Sequence, residues 1–204
     1  MADNIVAVQG IHRILMLRKL SEANKVDAQV LPWQEGATFG IKRDDKSTAT
    51  KSGKVSKGAD PETELKTTFI DNWSKIADQL YDSVLDGDVM EAWIVDRTRK
   101  KNGKYFAWYM RGVVSDDSTD NDADDSSKRE TTFNINYGPV RGWTALTNEQ
   151  EAQIAYIFRG VGKIDSEAKN DGTDGNGAAW SDEDAGTGEV AEDTQTNTAG
   201  GNGQ

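Results

Sequence analysis

Few side chains in this sequence are of the types that do chemistry. His12 is the single histidine, the chain has no cysteine, and no serine-centred motif accompanies the imidazole. Nucleophilic catalysis needs a nucleophile beside a base, and neither a thiol nor a serine–histidine pair is indicated. We therefore interpret His12 as a structural or surface residue. We expect no catalytic site, no cofactor and no metal.

Three aspartates have the spacing of the first ligands of a calcium loop. Asp120, Asp122 and Asp124 fit loop positions 1, 3 and 5. Position 6 is Asp125 where such a loop requires glycine, and position 12 is Thr131 where it requires glutamate. Because the match fails at its most specific positions, we predict a solvated acidic loop here.

Two oppositely charged stretches are better candidates for a binding surface. Residues 42–58 show no periodicity, and a loop of about 17 residues is long for a compact domain. Residues 115–127 form an aspartate-rich loop in our interpretation. We hypothesise that the two stretches meet between subunits. The basic candidates are Lys42, Arg43, Lys46, Lys51, Lys54 and Lys57. The acidic candidates are Asp116, Asp117, Asp120, Asp122, Asp124 and Asp125.

The negative charge of the chain belongs mainly to its last 40 residues. The formal net charge is −11, but residues 165–204 hold ten acidic residues and one lysine, which leaves −2 for the rest. Residues 163–204 are rich in glycine and aspartate, so we expect a disordered extension after a domain at 1–162. The basic stretch lacks the interleaved aromatic residues of a nucleic-acid site. No apolar run approaches the roughly 20 residues of a membrane span.

Periodicity predicts a mainly β chain with two helices. Residues 11–20 fit a strand or a helix, 29–33 and 37–41 predict a hairpin, and 64–70 and 131–137 predict strands. A capping box at Thr147 and Gln150 predicts a short helix that runs to Arg159.

The clearest element is an amphipathic helix capped by Asp71 or Asn72 and ended by Gly87. Its apolar positions are Trp73, Ile76, Ala77, Leu80, Tyr81, Val84 and Leu85.

A long hairpin at 88–114, turned at Asn102-Gly103, has apolar side chains on both faces of its strands. A helix covers one face, and the other face needs a second sheet or another subunit. Trp93, Trp108 and Tyr109 are therefore candidates either for a contact between subunits or for the core.

The succession of these elements resembles the major tail protein family of siphophages, the tail tube subunits of long non-contractile tails. The resemblance covers about residues 10–162, and no single motif carries it alone. Its segments are 88–99 (DVMEAWIVDRTR), 103–105 (GKY), 131–133 (TTF), 138–146 (GPVRGWTAL) and 147–159 (TNEQEAQIAYIFR). It implies a β-sandwich or partial barrel with one flanking helix and a short C-terminal helix. It also implies that residues 42–58 reach the adjacent ring.

By this resemblance the chain is a structural subunit that forms stacked hexameric rings and conducts double-stranded DNA without binding it specifically. The expected partners are further copies, the tape measure, the distal tail protein and the terminator. The expected location is the virion tail, after synthesis in the host bacterial cytoplasm. Two alternatives remain, namely a monomeric β-sandwich binding module and a tube or terminator protein of a contractile system. We expect a net negative lumen, because a basic lumen would hold DNA by its phosphates.

Overall fold

Alternating polar and apolar residues build nine strands in the computed structural model of the chain. The structure describes residues 7–58, 60–154, 157–164 and 168–188, and of residues 45–48, 50 and 54–57 the backbone alone. The strands are β1 Arg13–Lys19, β2 Gln29–Val30, β3 Gln34–Lys42, β4 Asp45–Thr50, β5 Gly53–Gly58, β6 Glu62–Ile70, β7 Met90–Lys101, β8 Lys104–Asp120 and β9 Lys128–Thr144. The helices are α1 Lys75–Asp86 and α2 Asn148–Ile154, with 3-10 turns at Gly10–His12, Leu20–Glu22 and Asp182–Asp184.

Seven strands form one antiparallel sheet in the order β2-β1-β7-β8-β9-β6-β3, and β4 pairs with β5 in a sheet of their own. The large sheet is open, with β2 and β3 at its edges. The side chain of Gln34 links edge strand β3 to β1, because its Oε1 accepts from the Leu15 amide at 2.8 Å and its Nε2 donates to the Leu15 carbonyl at 3.3 Å. The predicted mainly β partial barrel with a flanking helix and a short C-terminal helix is confirmed.

Helix α1 packs on one face of this sheet. Its buried residues contact a core that contains Leu15, Leu65, Phe69 and Met110. Each large apolar side chain in this core contributes roughly 1.5–3 kcal/mol by leaving water. The other face carries a second cluster that contains Ile14, Met16, Val95, Tyr105, Ala107 and Ile154. Because Ile154 belongs to α2, both predicted apolar faces of the β7–β8 hairpin have a cover within the chain.

The limits of α1 differ from the sequence-based expectation. Ser74 is the N-cap, since its hydroxyl accepts from the Ala77 amide at 3.3 Å, and the predicted caps Asp71 and Asn72 precede it. Asn72 instead accepts from the Ser74 amide at 3.1 Å and donates to the Ile70 carbonyl. Gly87 ends the helix in the left-handed region at φ 75°, as predicted.

Four residues of the predicted apolar stripe are exposed, of which Tyr81 and Val84 are the least so. Trp73 precedes the first turn of α1 and is fully exposed, and Leu85 in the last turn is 80% exposed. The shorter helix accounts for Trp73, because a residue before the N-cap does not follow the helical period.

Three local predictions are wrong in pairing or extent. Residues 29–33 and 37–41 do not form a hairpin, because β2 pairs with β1 and β3 pairs with β6. Trp33, between them, adopts φ 49°, a left-handed conformation that redirects the chain. Residues 42–58 are a β-hairpin in place of an irregular loop. The helix after the capping box is described as Asn148–Ile154, and residues 157–159, to which it was expected to extend, are not helical.

The chain consists of two compact units, Met1–Ala155 and Tyr156–Gln204. In the second unit, the Gly160 amide donates to the Asp174 carbonyl at 2.8 Å. A Cβ at Gly160 would lie 2.2 Å from the Gly175 carbonyl oxygen, so the approach of these backbones requires glycine. The carboxylate of Asp174 accepts from the backbone amides of Lys169 and Asn170, both at 2.8 Å. The boundary predicted at 162–163 and the predicted disorder beyond it stay predictions.

Candidate functional site

The basic candidates lie on and beside the β4–β5 hairpin. Lys42 ends β3, and its ammonium lies 3.0 Å from the Asp44 carboxylate. The hydrogen bond that Lys42 donates to this carboxylate raises the pKa of Lys42. Arg43 and Lys51 are exposed in the connections of the hairpin. The remaining candidates are strand residues, Lys46 on β4 and Lys54 and Lys57 on β5.

The acidic candidates divide into two groups, because β8 continues to Asp120 where the sequence predicts a loop from residue 115. Asp116 and Asp120 are exposed strand residues, and Asp122, Asp124 and Asp125 are exposed in the turn that follows. In the described residues none of these five carboxylates lies within ion-pair distance of a basic side chain. They remain available to a partner.

Asp117 differs from the other acidic candidates because its side chain is only 2% exposed. The guanidinium of Arg129, which is fully buried, donates to both Asp117 oxygens, from Nε at 2.5 Å and from Nη2 at 2.7 Å. The Thr131 hydroxyl donates to Asp117 Oδ2 at 3.1 Å, and the Arg129 guanidinium stacks on the Tyr81 ring at 3.4 Å. Asp117 therefore belongs to the interior and cannot serve as a surface contact.

The three aromatic candidates lie on opposite faces of the sheet. Trp108 faces α1 and packs against Phe39 at a ring distance of 5.3 Å. Trp93 and Tyr109 are cross-strand neighbours on the other face, with ring centroids 5.1 Å apart. Trp93 also packs against the cluster that contains Ile154. All three therefore contribute to packing within the chain.

A polar row borders the Trp93–Tyr109 pair. Arg18, Glu91 and Arg111 are neighbours in register across three strands. Both Arg18 Nε and Nη2 donate to Glu91 Oε2, at 2.9 and 2.7 Å, and the Tyr109 hydroxyl donates to Glu91 Oε1 at 2.5 Å. Burial raises the pKa of Tyr109, and the hydrogen bond to the Glu91 carboxylate raises it further. The row is thus internally paired and fixes the orientation of Tyr109.

On β9, next to this polar row, two large apolar side chains are exposed. Tyr137 is the register partner of Arg111, and Val140 is the partner of Tyr109. Tyr137 is 69% exposed and Val140 is 61% exposed. Adjacent apolar side chains of this size left in water are typical of a protein-interaction surface.

A second group of charges surrounds the β7–β8 turn. The Arg99 guanidinium lies 4.2 Å from the Phe106 ring and 5.8 Å from the Trp143 ring, and Arg141 lies 5.6 Å from the Trp108 ring. We call the exposed cations of this group the cationic tip. Its members are Arg99, Lys100, Lys101, Lys104 and Arg141. In the part of the chain that the structure describes, no carboxylate lies within ion-pair distance of any of them.

Strand register places the basic and acidic candidates at opposite ends of the sheet. Lys128 at the start of β9 pairs with Asp120, and Thr144 at its end pairs with Tyr105 beside the cationic tip. Strand β6 runs antiparallel to β9, from Glu64 opposite Asn134 to Ile70 opposite Lys128. The start of β6, where Glu62 pairs with Lys42 of β3, therefore lies toward the end that bears the cationic tip.

Comparison with known proteins finds similarity at the level of structure. No protein-family model and no curated protein matches the sequence. The chain superposes on the tail tube of SPP1 with a TM-score of 0.61 at 13% identity, over 85% of this chain and 99% of that one. The chain has a tail tube fold. It also superposes on the tail of an empty gene transfer agent particle, refined with C6 symmetry, with a TM-score of 0.51 at 8% identity over 68% of this chain and 100% of that one.

Three further features of the described residues concern metal ligands, membrane-spanning helices and the single histidine. Among the described residues there is no group of three or more potential metal ligands, and no helix is long and apolar enough to cross a membrane. His12 lies half-buried in a 3-10 turn before β1, where the sequence suggests a strand. The proteins of similar structure are tail components, whose role is structural.

Sequence reasoning missed two parts of this tail tube fold. Four members of the cationic tip are close together in the sequence, with no acidic residue among them. A hairpin turn accounts for them without any binding role, so the sequence did not identify them as a site. They are Arg99, Lys100, Lys101 and Lys104. Arg141 joins them only through the pairing of β8 with β9. No sequence pattern predicted the buried Arg129–Asp117 pair, because arginine and aspartate side chains are usually exposed to solvent.

Proposed function

We propose that this protein is the structural subunit of a phage tail tube, in which hexameric rings stack and conduct double-stranded DNA in a long non-contractile tail. The observation that carries the proposal is the tail tube fold, matched over 99% of the SPP1 chain. The C6 symmetry of the second similar tail supports the six-fold ring. The expected partners are further copies and the tape measure, distal tail and terminator proteins, and the location is the virion tail.

The open sheet supports ring closure by self-association. Strand β3 is a nine-residue edge strand whose side chains are mostly exposed, and β2 at the other edge has only two residues. An exposed edge of this length pairs readily with a strand from another chain unless charges or proline prevent it. Between Glu35 and Lys42, β3 carries neither. Since β2 and β3 are different edges, a contact between them is heterologous and closes by rotation.

Exposed apolar side chains supply further contact area. Trp73 and Leu85 on the α1 side and Tyr137 and Val140 on the other side are all mainly in solvent. They lie on both faces of the sheet, which suits a subunit with neighbours on several sides better than a module with a single ligand platform. We expect the contact between subunits to bury these residues.

Sedimentation velocity of the full-length protein over a wide dilution series tests this function. We expect a concentration-dependent change from subunits to rings and longer particles. A single monomer peak at every concentration and salt condition would instead favour the β-sandwich binding module. We further propose that the lumen is net negative. A ring structure with a channel lined by lysine and arginine would refute this part.

A further inference from the structure

We infer that the cationic tip docks on the acidic turn of a second copy of this chain, so that successive subunits meet end to end along the strand direction. We define the acidic turn as Asp120, Asp122, Asp124 and Asp125. The inference rests on the proposed tube function and names the surfaces that join one ring to the next.

The cationic tip and the acidic turn of one subunit are too far apart to neutralise each other. Strand β8 begins at Lys104 in the cationic tip and ends at Asp120 in the acidic turn. Its 17 residues span roughly 50 Å at a rise of about 3.3 Å each. Exposed charges are screened beyond about 8 Å at physiological ionic strength. Five unpaired cations and four unpaired carboxylates therefore remain at opposite ends of each molecule.

The cationic tip is held in place by aromatic rings. Arg99 stacks on Phe106, and the Lys100 ammonium lies 4.2 Å from the Tyr105 ring. Tyr105 is itself buried, and its hydroxyl donates to Glu151 at 3.1 Å. Cations fixed on a rigid support lose less conformational entropy when they bind than free lysines would.

The arrangement favours a protein carboxylate over nucleic acid as the occupant. Single strands bind to basic grooves by stacking their bases on free aromatic rings. Here the rings of Phe106, Trp108 and Tyr105 each already carry a cation of the same chain. The chain itself presents a complementary group of carboxylates, the acidic turn.

Contact between tip and turn has the geometry that a tube requires. The two surfaces differ, so the contact is heterologous, and each subunit keeps one free tip and one free turn after binding. A heterologous contact between opposite ends of the strands repeats along the strand direction and adds subunits along one axis when its rotation does not close a ring. The β4–β5 hairpin follows β3, whose last residue lies toward the cationic tip, and we expect it to contact the same neighbour. Its Lys51 is also exposed.

Charge exchange tests the inference. One variant, Lys101→Glu/Lys104→Glu, reverses the cationic tip, and a second, Asp122→Lys/Asp124→Lys, reverses the acidic turn. We expect each variant alone to need at least about tenfold more protein to form multi-ring particles, which is ~1.4 kcal/mol per contact. An equimolar mixture should assemble as the wild type does, because each altered surface then meets an oppositely charged partner. Sedimentation velocity and negative-stain microscopy measure particle length.

The matched control is Lys25→Glu/Lys163→Glu, which makes the same change in net charge at exposed positions outside the tip. It should shift the assembly threshold by no more than about twofold. Circular dichroism confirms that every variant is folded. The inference is overturned if the single variants assemble normally, or if the folded mixture does not recover.

A third outcome separates the two classes of occupant. If the tip variant loses binding to a DNA duplex that the wild type binds at the same salt, and still assembles normally, the tip is a nucleic-acid surface and the inference fails. In each of these failures the wild type still forms tubes, so the proposed function stands. A wild type that never assembles overturns both.

Discussion

Removal of the Asp117 charge should destabilise the domain strongly. Asp117 and Arg129 have side chains that are 2% and 0% exposed, joined by two hydrogen bonds of 2.5 and 2.7 Å. In Asp117→Asn the buried guanidinium loses its bidentate carboxylate. Its nearest remaining acid is Asp71, 3.7 Å from Nη1. Loss of one partner of a buried ion pair costs about 3–5 kcal/mol.

That cost is a large part of the ~5–15 kcal/mol that stabilises a typical domain. Urea unfolding followed by tryptophan fluorescence, at a concentration where the protein is monomeric, gives the free energy of unfolding. Asp116→Asn is the matched control, because Asp116 is the exposed neighbour with the same side chain. It should change stability by less than about 0.5 kcal/mol.

A double variant, Asp117→Leu/Arg129→Met, distinguishes the stabilisation by the ion pair from the cost of burying its two charges. It should be more stable than Asp117→Asn, since replacement of both charges by apolar groups is often neutral or stabilising. Our reasoning about this cluster is refuted if Asp117→Asn unfolds with the same free energy as Asp116→Asn. It is also refuted if the double variant is the least stable of the three.

Three further substitutions test local features of the first unit. Ser74→Ala removes the N-cap of α1 and should cost about 1 kcal/mol in thermal or urea unfolding. Gly112→Ala places a Cβ 2.3 Å from a carbonyl oxygen of the neighbouring strand and should cost about 1–3 kcal/mol, whereas Gly142→Ala, with open space around it, should cost less. Burial opposes the ionisation of Asp96, but two hydrogen bonds from Thr98 outweigh it and hold the pKa of Asp96 below its usual value. The resulting stabilisation is present above about pH 4 and is lost as pH falls through the native pKa, so the stability difference between the wild type and Asp96→Asn should shrink in acid.

Periodicity predicted the elements that have one face in water and one in the core. The period of α1 identified Ile76, Ala77 and Leu80 as buried, because the helix packs on a single sheet face. The alternation along β7 and β8 also gave the correct faces for Trp93 and Trp108. Such patterns follow from the repeat of a helix or a strand, so neighbouring positions in the sequence are enough to reveal them.

The errors arose where distant residues decide the structure. Strand β8 continues past Val114 because Arg129, on the neighbouring strand, buries the Asp117 carboxylate. The six aspartates at 115–127, considered without the rest of the fold, predict a solvated loop. The hairpin expected around Gln34 is absent because β2 pairs with β1 and β3 pairs with β6. Neither partner is visible from neighbouring positions in the sequence.

The charge arrangement that we propose for assembly is of the same kind. The sequence shows the cations of the β7–β8 turn and the acidic stretch at 115–127, and it allows them to meet within one subunit. Only the register of β6, β8 and β9 shows that they lie at opposite ends of the sheet. Because the cationic tip and the acidic turn lie at opposite ends of the sheet, the tip of one subunit can contact the turn of the next.

Cryo-electron microscopy of the purified full-length protein at high concentration tests the central claim most directly. We predict hollow tubes of stacked six-fold rings, in which β3 pairs with a strand of the adjacent subunit and the cationic tip of one ring faces the acidic turn of the next. Monomers at every concentration, or closed particles without a channel, would contradict the account.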